Sequence, residues 1–206
     1  MMRTRMLQGS DPAALDQVAA ALRSGALAAF PTDTVYGLGA DAFNPDAVRR
    51  LYAVKERVSV KAIPVLVADP ADLARIAENI SGMASQLVEA FWPGPLTIIF
   101  PRHPSLPQDL SGLNTVGVRI PDHEIARAIL RKTGPLAVTS ANRSGAGDLC
   151  SANAVMTELA GRIPWIVDGG ETPGGQPSTV VDLSSGSPVI LREGPLAEAS
   201  IRHALG

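Results

Sequence analysis

Short apolar runs alternate along this chain with longer segments of helical spacing, and the helical segments carry their own start signals. Asp11-Pro12, Asn44-Pro45 and Asp69-Pro70 each set a capping side chain before a proline. Proline lacks the N–H that a first helical turn leaves unbonded, and its φ is already helical. The first of these segments runs to Arg23 and stops at Gly25, the second reaches Tyr52, and the third follows Pro70. Ser81 to Phe91, Asp122 to Lys132, Ser151 to about Ala160 and Leu196 to Leu205 read as further helices. The apolar runs between them read as strands: Leu27–Phe30, Ile63–Val67, Leu96–Phe100, Thr115–Ile120, Leu136–Thr139, Trp165–Val167, Thr179–Asp182 and Val189–Leu191. Pro64 confines its strand to an edge or to a strand start, because proline donates nothing to a ladder. Strands interleaved with helices predict an α/β fold, a twisted sheet with flanking helices. The three adjacent late strands make that sheet mixed rather than purely parallel. No repeat or linker interrupts the pattern, so residues 1–206 are expected to form a single domain. With 46% hydrophobic residues but only 4% aromatics, its core must be aliphatic.

The remaining composition narrows the function classes. The formal net charge is −2 with a pI near 5.9, which is not the basic footprint of a general nucleic-acid binder. No apolar run approaches the roughly 20 residues of a membrane helix, and no secretory h-region follows Arg3 and Arg5. A single cysteine, Cys150, forbids an internal disulfide, and the expected location is the reducing cytoplasm. His103, His123 and His203 are too scattered for metal-ligand spacing, and no Ser sits in a G-x-S-x-G elbow. The P-loop signature is absent. Gly37-Leu38-Gly39-Ala40-Asp41-Ala42 matches G-x-G-x-x-A, but Pro31–Tyr36 separates it from its strand and the next helix begins only at Pro45. A dinucleotide turn needs strand, glycines and helix in direct succession.

Five polar stretches at strand ends or in loops hold the chemistry. They are Pro31–Gly39, Lys55-Glu56-Arg57 with Lys61, Thr115–Arg119, Thr139–Gly145, and Ser178-Thr179 with Arg192. Hydroxyls, guanidinium and ammonium groups, and glycines that expose backbone N–H all donate hydrogen bonds to oxyanions. An anionic substrate is expected, in a locally electropositive cavity.

Taken together these stretches resemble the YrdC-like family of L-threonylcarbamoyladenylate synthases. The resemblance rests on P-T-D-T-V-Y-G-L-G at residues 31–39, Trp92-Pro93-Gly94-Pro95-Leu96-Thr97, Val116–Pro121, Ser140-Ala141-Asn142-Arg143-Ser144-Gly145, Ser178–Asp182 and Leu191-Arg192-Glu193-Gly194, in family order. The chain looks like the short form of the family. It departs from the K-x-R-P-x-x-K-P pattern: Lys55, Arg57 and Lys61 are kept, but Val58 and Ala62 stand where prolines are usual. Fewer prolines leave φ less fixed, so that loop is expected to be less rigid.

The resemblance implies a YrdC-like fold with a deep central cavity. It implies condensation of L-threonine, bicarbonate and ATP into threonylcarbamoyl-AMP and pyrophosphate, with Mg²⁺ bridging the phosphates and no other metal site or tightly bound cofactor. By the same resemblance Lys55, Arg57 and Lys61 are catalytic. Thr34, Arg119 and Ser178 hold threonine. Arg57, Lys61, Thr115, Ser140, Asn142, Asp148 and Arg192 bind the nucleotide. The partners implied are the tRNA-modifying transferases that consume the product for N6-threonylcarbamoyladenosine; direct tRNA contact finds no support in the net charge. Two other readings stand beside this one: a carbamoyl-transfer relative, and an RNA-binding or ribosome-associated module without catalysis.

Overall fold

The computed structural model describes residues 2–56, 62–143, 147–174 and 176–206. In chain order the elements are β1 (Arg5–Gln8), α1 (Pro12–Arg23), β2 (Ala28–Phe30), β3 (Gly37–Asp41), α2 (Pro45–Lys55), β4 (Val65–Leu66), α3 (Gly82–Phe91), β5 (Leu96–Pro101), β6 (Thr115–Arg119), α4 (Glu124–Thr133), β7 (Leu136–Ser140), α5 (Ala152–Leu159), β8 (Trp165–Asp168), β9 (Thr179–Asp182), β10 (Val189–Arg192) and α6 (Glu198–Leu205). Short 3-10 turns cover Pro70–Arg75 and Gln108–Leu110.

The capping signals act as read. Asp11 accepts from Ala13 N, Asn44 from Ala47 N and Ser81 from Ala84 N, each capping N–H groups that the first helical turn leaves free. α1 ends where Gly25 takes φ +87, a left-handed conformation that favours glycine. α2 runs one turn past Tyr52 to Lys55, and Glu56 then turns the chain at φ 53. After Asp69-Pro70 the turn is 3-10.

The ten strands form one sheet in the order β1-β8-β2-β3-β7-β4-β6-β5-β9-β10. It is mixed: β1 with β8, β8 with β2, β4 with β6 and β5 with β9 run parallel, and the other neighbours antiparallel. Two strands escaped the sequence reading. β1 is a four-residue edge strand of mixed polarity. β3 is the Gly37–Asp41 segment itself, paired on both sides with β2 and β7. The G-x-G-x-x-A match is therefore a strand, with no phosphate turn. Pro64 precedes β4, which lies inside the sheet between β7 and β6, so the proline marks a strand start and not an edge.

Helices cover both faces. α1 and α4 pack against each other and on one face through Leu15, Val18, Leu22, Ile129 and Leu130, meeting Phe30, Leu66, Leu136 and Val138. The opposite face carries α2, α3, α5 and α6 through Val48, Leu51, Leu87, Val155, Leu159 and Ile201. The side-chain period of two divides the central strands between these faces. Leu96, Ile98 and Phe100 of β5, and Val116 and Val118 of β6, join the second core. Their alternates Thr97, Ile99, Gly117 and Arg119 turn to the first face, where they line a cleft. Leu66 and Val138 belong both to the core under α1 and α4 and to the cleft wall, so the cleft continues the part of that face which these helices leave uncovered.

Candidate active site

The cleft has a volume of about 320 Å³. Six of the residues singled out in the sequence line it: Thr34, Arg119, Ser140, Asp148, Ser178 and Arg192. They come from the β2–β3 loop, the ends of β6 and β7, the segment before α5, the start of β9 and the end of β10. Asn142 and Lys55 stand just behind the wall. Lys55 is 2% exposed, and its Nζ donates to Ser140 O, to Ser140 Oγ at 3.4 Å and to Asn142 Oδ1 at 3.3 Å. Ser140 Oγ in turn donates to Asn142 Oδ1 at 2.5 Å. Thr115 shares the cleft-facing side of β6 with Gly117 and Arg119 by the period of two, but is not part of the wall. Arg57 and Lys61, with Val58, lie outside the described residues.

The Arg119 guanidinium is the most constrained group in the site. It is 6% exposed. Nε donates to Gly94 O at 3.0 Å, Nη1 to Thr34 Oγ1 at 3.2 Å, and Nη2 to Asp33 Oδ1 in a buried ion pair. Three of its five N–H groups are thus engaged among the described residues, leaving one on each Nη. Burial pulls its pKa below the ordinary arginine value, and the Asp33 charge works against that shift. Asp33 lies within the Pro31–Gly39 stretch, but no role was expected of it from the sequence. Arg192 is held differently. Its Nε and Nη2 both donate to Ser178 O, at 3.0 and 2.8 Å, which leaves Nη1 without a protein partner among the described residues. Burial also lowers its pKa, opposed by Asp148.

Backbone fit fixes the frame around these side chains. A Cβ on Gly194 would lie 2.3 Å from Pro177 O and 2.5 Å from Thr179 N, so only glycine lets the chain cross the start of β9. There Gly194 N and Leu196 N donate to Thr179 Oγ1 at 2.9 and 3.1 Å. Gly174 N donates to Thr34 O at 2.8 Å, and Tyr36 Oη donates to Gly170 O at 2.7 Å, so residues 169–174 brace the threonine loop. Trp92-Pro93-Gly94-Pro95, one of the motifs that carry the resemblance, contributes the carbonyl that orients Arg119 and contains a cis Trp92–Pro93 peptide.

His123 borders this region at the start of α4, with Nδ1 buried and unbonded among the described residues. Burial holds its pKa below 6.5, against the opposing pull of Asp33, Glu124 and Asp122. With the folded-state value depressed, the unfolded chain binds the extra proton more readily. The stability this group contributes is present above pH 6.5 and lost as pH falls through the lower, folded-state value. His123→Gln is therefore expected to flatten the acid side of a plot of Tm against pH, below pH 6.5 and not above it. An unchanged acid limb would mean that other groups set it.

The fold and cleft define a mixed-sheet α/β protein with a hydroxyl- and guanidinium-lined site suited to an anion. The Sua5_yciO_yrdC family model, described as "Telomere recombination", matches residues 20–194, and the chain belongs to this Sua5/YciO/YrdC family. It is 42% identical over 206 residues to a Bacillus subtilis (strain 168) protein named threonylcarbamoyl-AMP synthase, covering 98% of this chain and 59% of that one. A Pyrococcus abyssi protein of the same name is 42% identical over 187 residues, 90% of this chain and 55% of its own length. The chain thus spans somewhat over half the length of these two curated relatives. Among solved structures, P. abyssi Sua5 complexed with L-threonine superposes with a TM-score of 0.93 at 38% identity, over 100% of this chain and 61% of that one. E. coli YciO gives a TM-score of 0.87 at 25% identity, over 98% of this chain and 100% of that one.

Proposed function

We propose that this chain makes L-threonylcarbamoyladenylate from L-threonine, bicarbonate and ATP, releasing pyrophosphate, in the cytoplasm. The observation that carries the reading is the convergence of Thr34, Arg119, Ser140, Asp148, Ser178 and Arg192 on one cleft of a fold that, in P. abyssi Sua5, is complexed with L-threonine. The neutral threonine amine condenses with bicarbonate, losing water, to give a carbamate; a carbamate oxygen then attacks the α-phosphorus, and the bond to the β-phosphate oxygen breaks as pyrophosphate leaves. No protein nucleophile is needed; positioning and neutralisation of charge supply the acceleration. The unengaged N–H groups of Arg119 meet the amino-acid carboxylate, and Thr34 and Ser178 line the rest of the amino-acid pocket. Ser140 and Asn142 hold the nucleotide together with Arg192 Nη1, and Arg57 and Lys61 supply further positive charge. In this arrangement Lys55 acts through Ser140 and Asn142. Among the described residues no group of three or more His, Cys, Asp or Glu could cage a metal, and Asp148 is the carboxylate on the cleft wall. Mg²⁺ would enter with the ATP substrate and would supply neutralisation of phosphate charge, with Asp148 the cleft carboxylate within the nucleotide-binding set.

The product is an unstable mixed anhydride, and a tRNA-modifying transferase is the partner that consumes it. No helix among the described residues is long and apolar enough to cross a membrane. The test is pyrophosphate release with each substrate omitted in turn. Release only when threonine, bicarbonate and ATP are all present supports the reading. Release without threonine, or none with all three, overturns it.

A further inference from the structure

Counting hydrogens gives donor and acceptor roles to four buried hydroxyls of the cleft, those of Thr32, Thr34, Thr97 and Ser178, and brings in Thr97, which has had no role so far. Thr32 Oγ1 donates its single hydrogen to Val35 O at 2.7 Å, and accepts from Thr34 N at 3.2 Å. In the 3.1 Å contact between Thr32 and Thr34, Thr34 must then be the donor. Thr34 also accepts from Arg119 Nη1, so its hydrogen is spent and it offers the cleft only a lone pair. Thr97 and Ser178 are the reverse case. They are 4% and 5% exposed, and their hydroxyls lie 2.7 Å apart. The pair holds two hydrogens and uses one between its members. The other has no protein acceptor among the described residues, while Arg192 Nη2 approaches Ser178 Oγ at 3.4 Å. The Thr97 methyl sets the geometry: a Cβ at Gly117 would meet Thr97 Cγ2 at 3.1 Å, so the methyl rests on that glycine and the hydroxyl is turned toward Ser178. A buried donor on a cleft wall is satisfied only by what enters the cleft.

We infer that the Thr97–Ser178 hydroxyl pair is the element that selects a hydroxyl-bearing amino acid, with Thr97 a specificity-determining residue. This rests on the threonine reading above. The substrate carboxylate is met by guanidinium N–H groups, which leaves the neutral pair for the side-chain hydroxyl, a group able to accept the spare hydrogen. The experiment is calorimetric titration of the full chain with L-threonine and with L-valine, the isostere lacking the hydroxyl. It compares the wild type with Thr97→Val, Thr97→Ser and Ser178→Ala. The wild type is expected to prefer threonine. Thr97→Val should reduce that preference by about tenfold, the order of one neutral hydrogen bond. Thr97→Ser should keep it. Should Thr97→Val fail to fold, Ser178→Ala removes the same pair from the other side and carries the same expectation. An unchanged threonine-to-valine ratio in a folded Thr97→Val or Ser178→Ala overturns the inference and leaves the synthase reading standing. A wild type that binds neither amino acid overturns both.

Discussion

Arg119→Ala is expected to destabilise the fold by about 3–5 kcal/mol and to weaken threonine binding by roughly ten- to a hundredfold or more, with ATP binding little changed. The stability loss follows from Asp33. Its carboxylate pairs with Arg119 at 13% side-chain exposure, and its Oδ2 already lacks a partner among the described residues. Without the guanidinium that charge is left buried and alone, the costly half of a broken ion pair. The binding loss follows from the two unengaged Nη N–H groups, which offer a carboxylate both charge and orientation. The effects separate in a double variant. Arg119→Met with Asp33→Leu removes both charges at similar volume and is expected to recover most of the stability while threonine binding stays lost. Arg119→Lys should restore part of the binding, since a point charge cannot reproduce the fork. Urea unfolding and calorimetry with threonine and ATP in separate titrations measure both. If Arg119→Ala binds threonine normally but loses ATP, the two halves of the cleft are assigned the wrong way round.

Lys55→Met should lower pyrophosphate release by roughly a hundredfold, the scale on which a preorganised donor array fails when one member goes. Lys55 lies at the C-terminal end of α2, buried against Ser140 and Asn142. Its ammonium donates to the Ser140 carbonyl and to the Asn142 amide oxygen, beside the hydroxyl bond from Ser140 to Asn142. Removing it leaves buried acceptors short of a donor and is expected to destabilise the fold by about 1–3 kcal/mol. The readout that distinguishes positioning from mere support is the split between substrates: the KM for ATP rises while that for threonine holds. A variant that loses only stability, with turnover and both KM values intact, would show Lys55 to be a prop.

Much of this architecture was legible in the chain because the signals are local. A carboxylate or hydroxyl before a proline or a helical run satisfies N–H groups two or three residues away, so Asp11, Asn44 and Ser81 could be read without knowing what packs on them. Apolar runs marked the strands for the same reason. The motif residues of the cleft were legible as a set rich in donors for an oxyanion: Thr34, Arg119, Ser140, Ser178 and Arg192 line it, together with the carboxylate of Asp148.

What the tertiary structure alone decided involves partners distant in sequence. Gly37–Asp41 carries no strand propensity in its glycines; it is a strand because β2 and β7 pair with it on both sides, and because a Cβ at Gly37 or Gly39 would meet Val138 or Phe30 at 2.7 or 2.8 Å. The interior place of β4 followed from its pairing with β6 and β7, which no local proline rule contains. Thr97 sat inside an apolar run that read as a buried strand. Its alternation with Leu96 and Ile98 was visible, but which face meets the cleft depended on where α1 and α4 stop. Asp33 and Arg119 are 86 residues apart, and Thr97 and Ser178 are 81 apart. Whether such groups are paired, spent or left with a hydrogen to offer is settled only when the sheet brings their strands together, since hydrogen bonds and buried ion pairs act over a few ångströms and carry no trace along the chain.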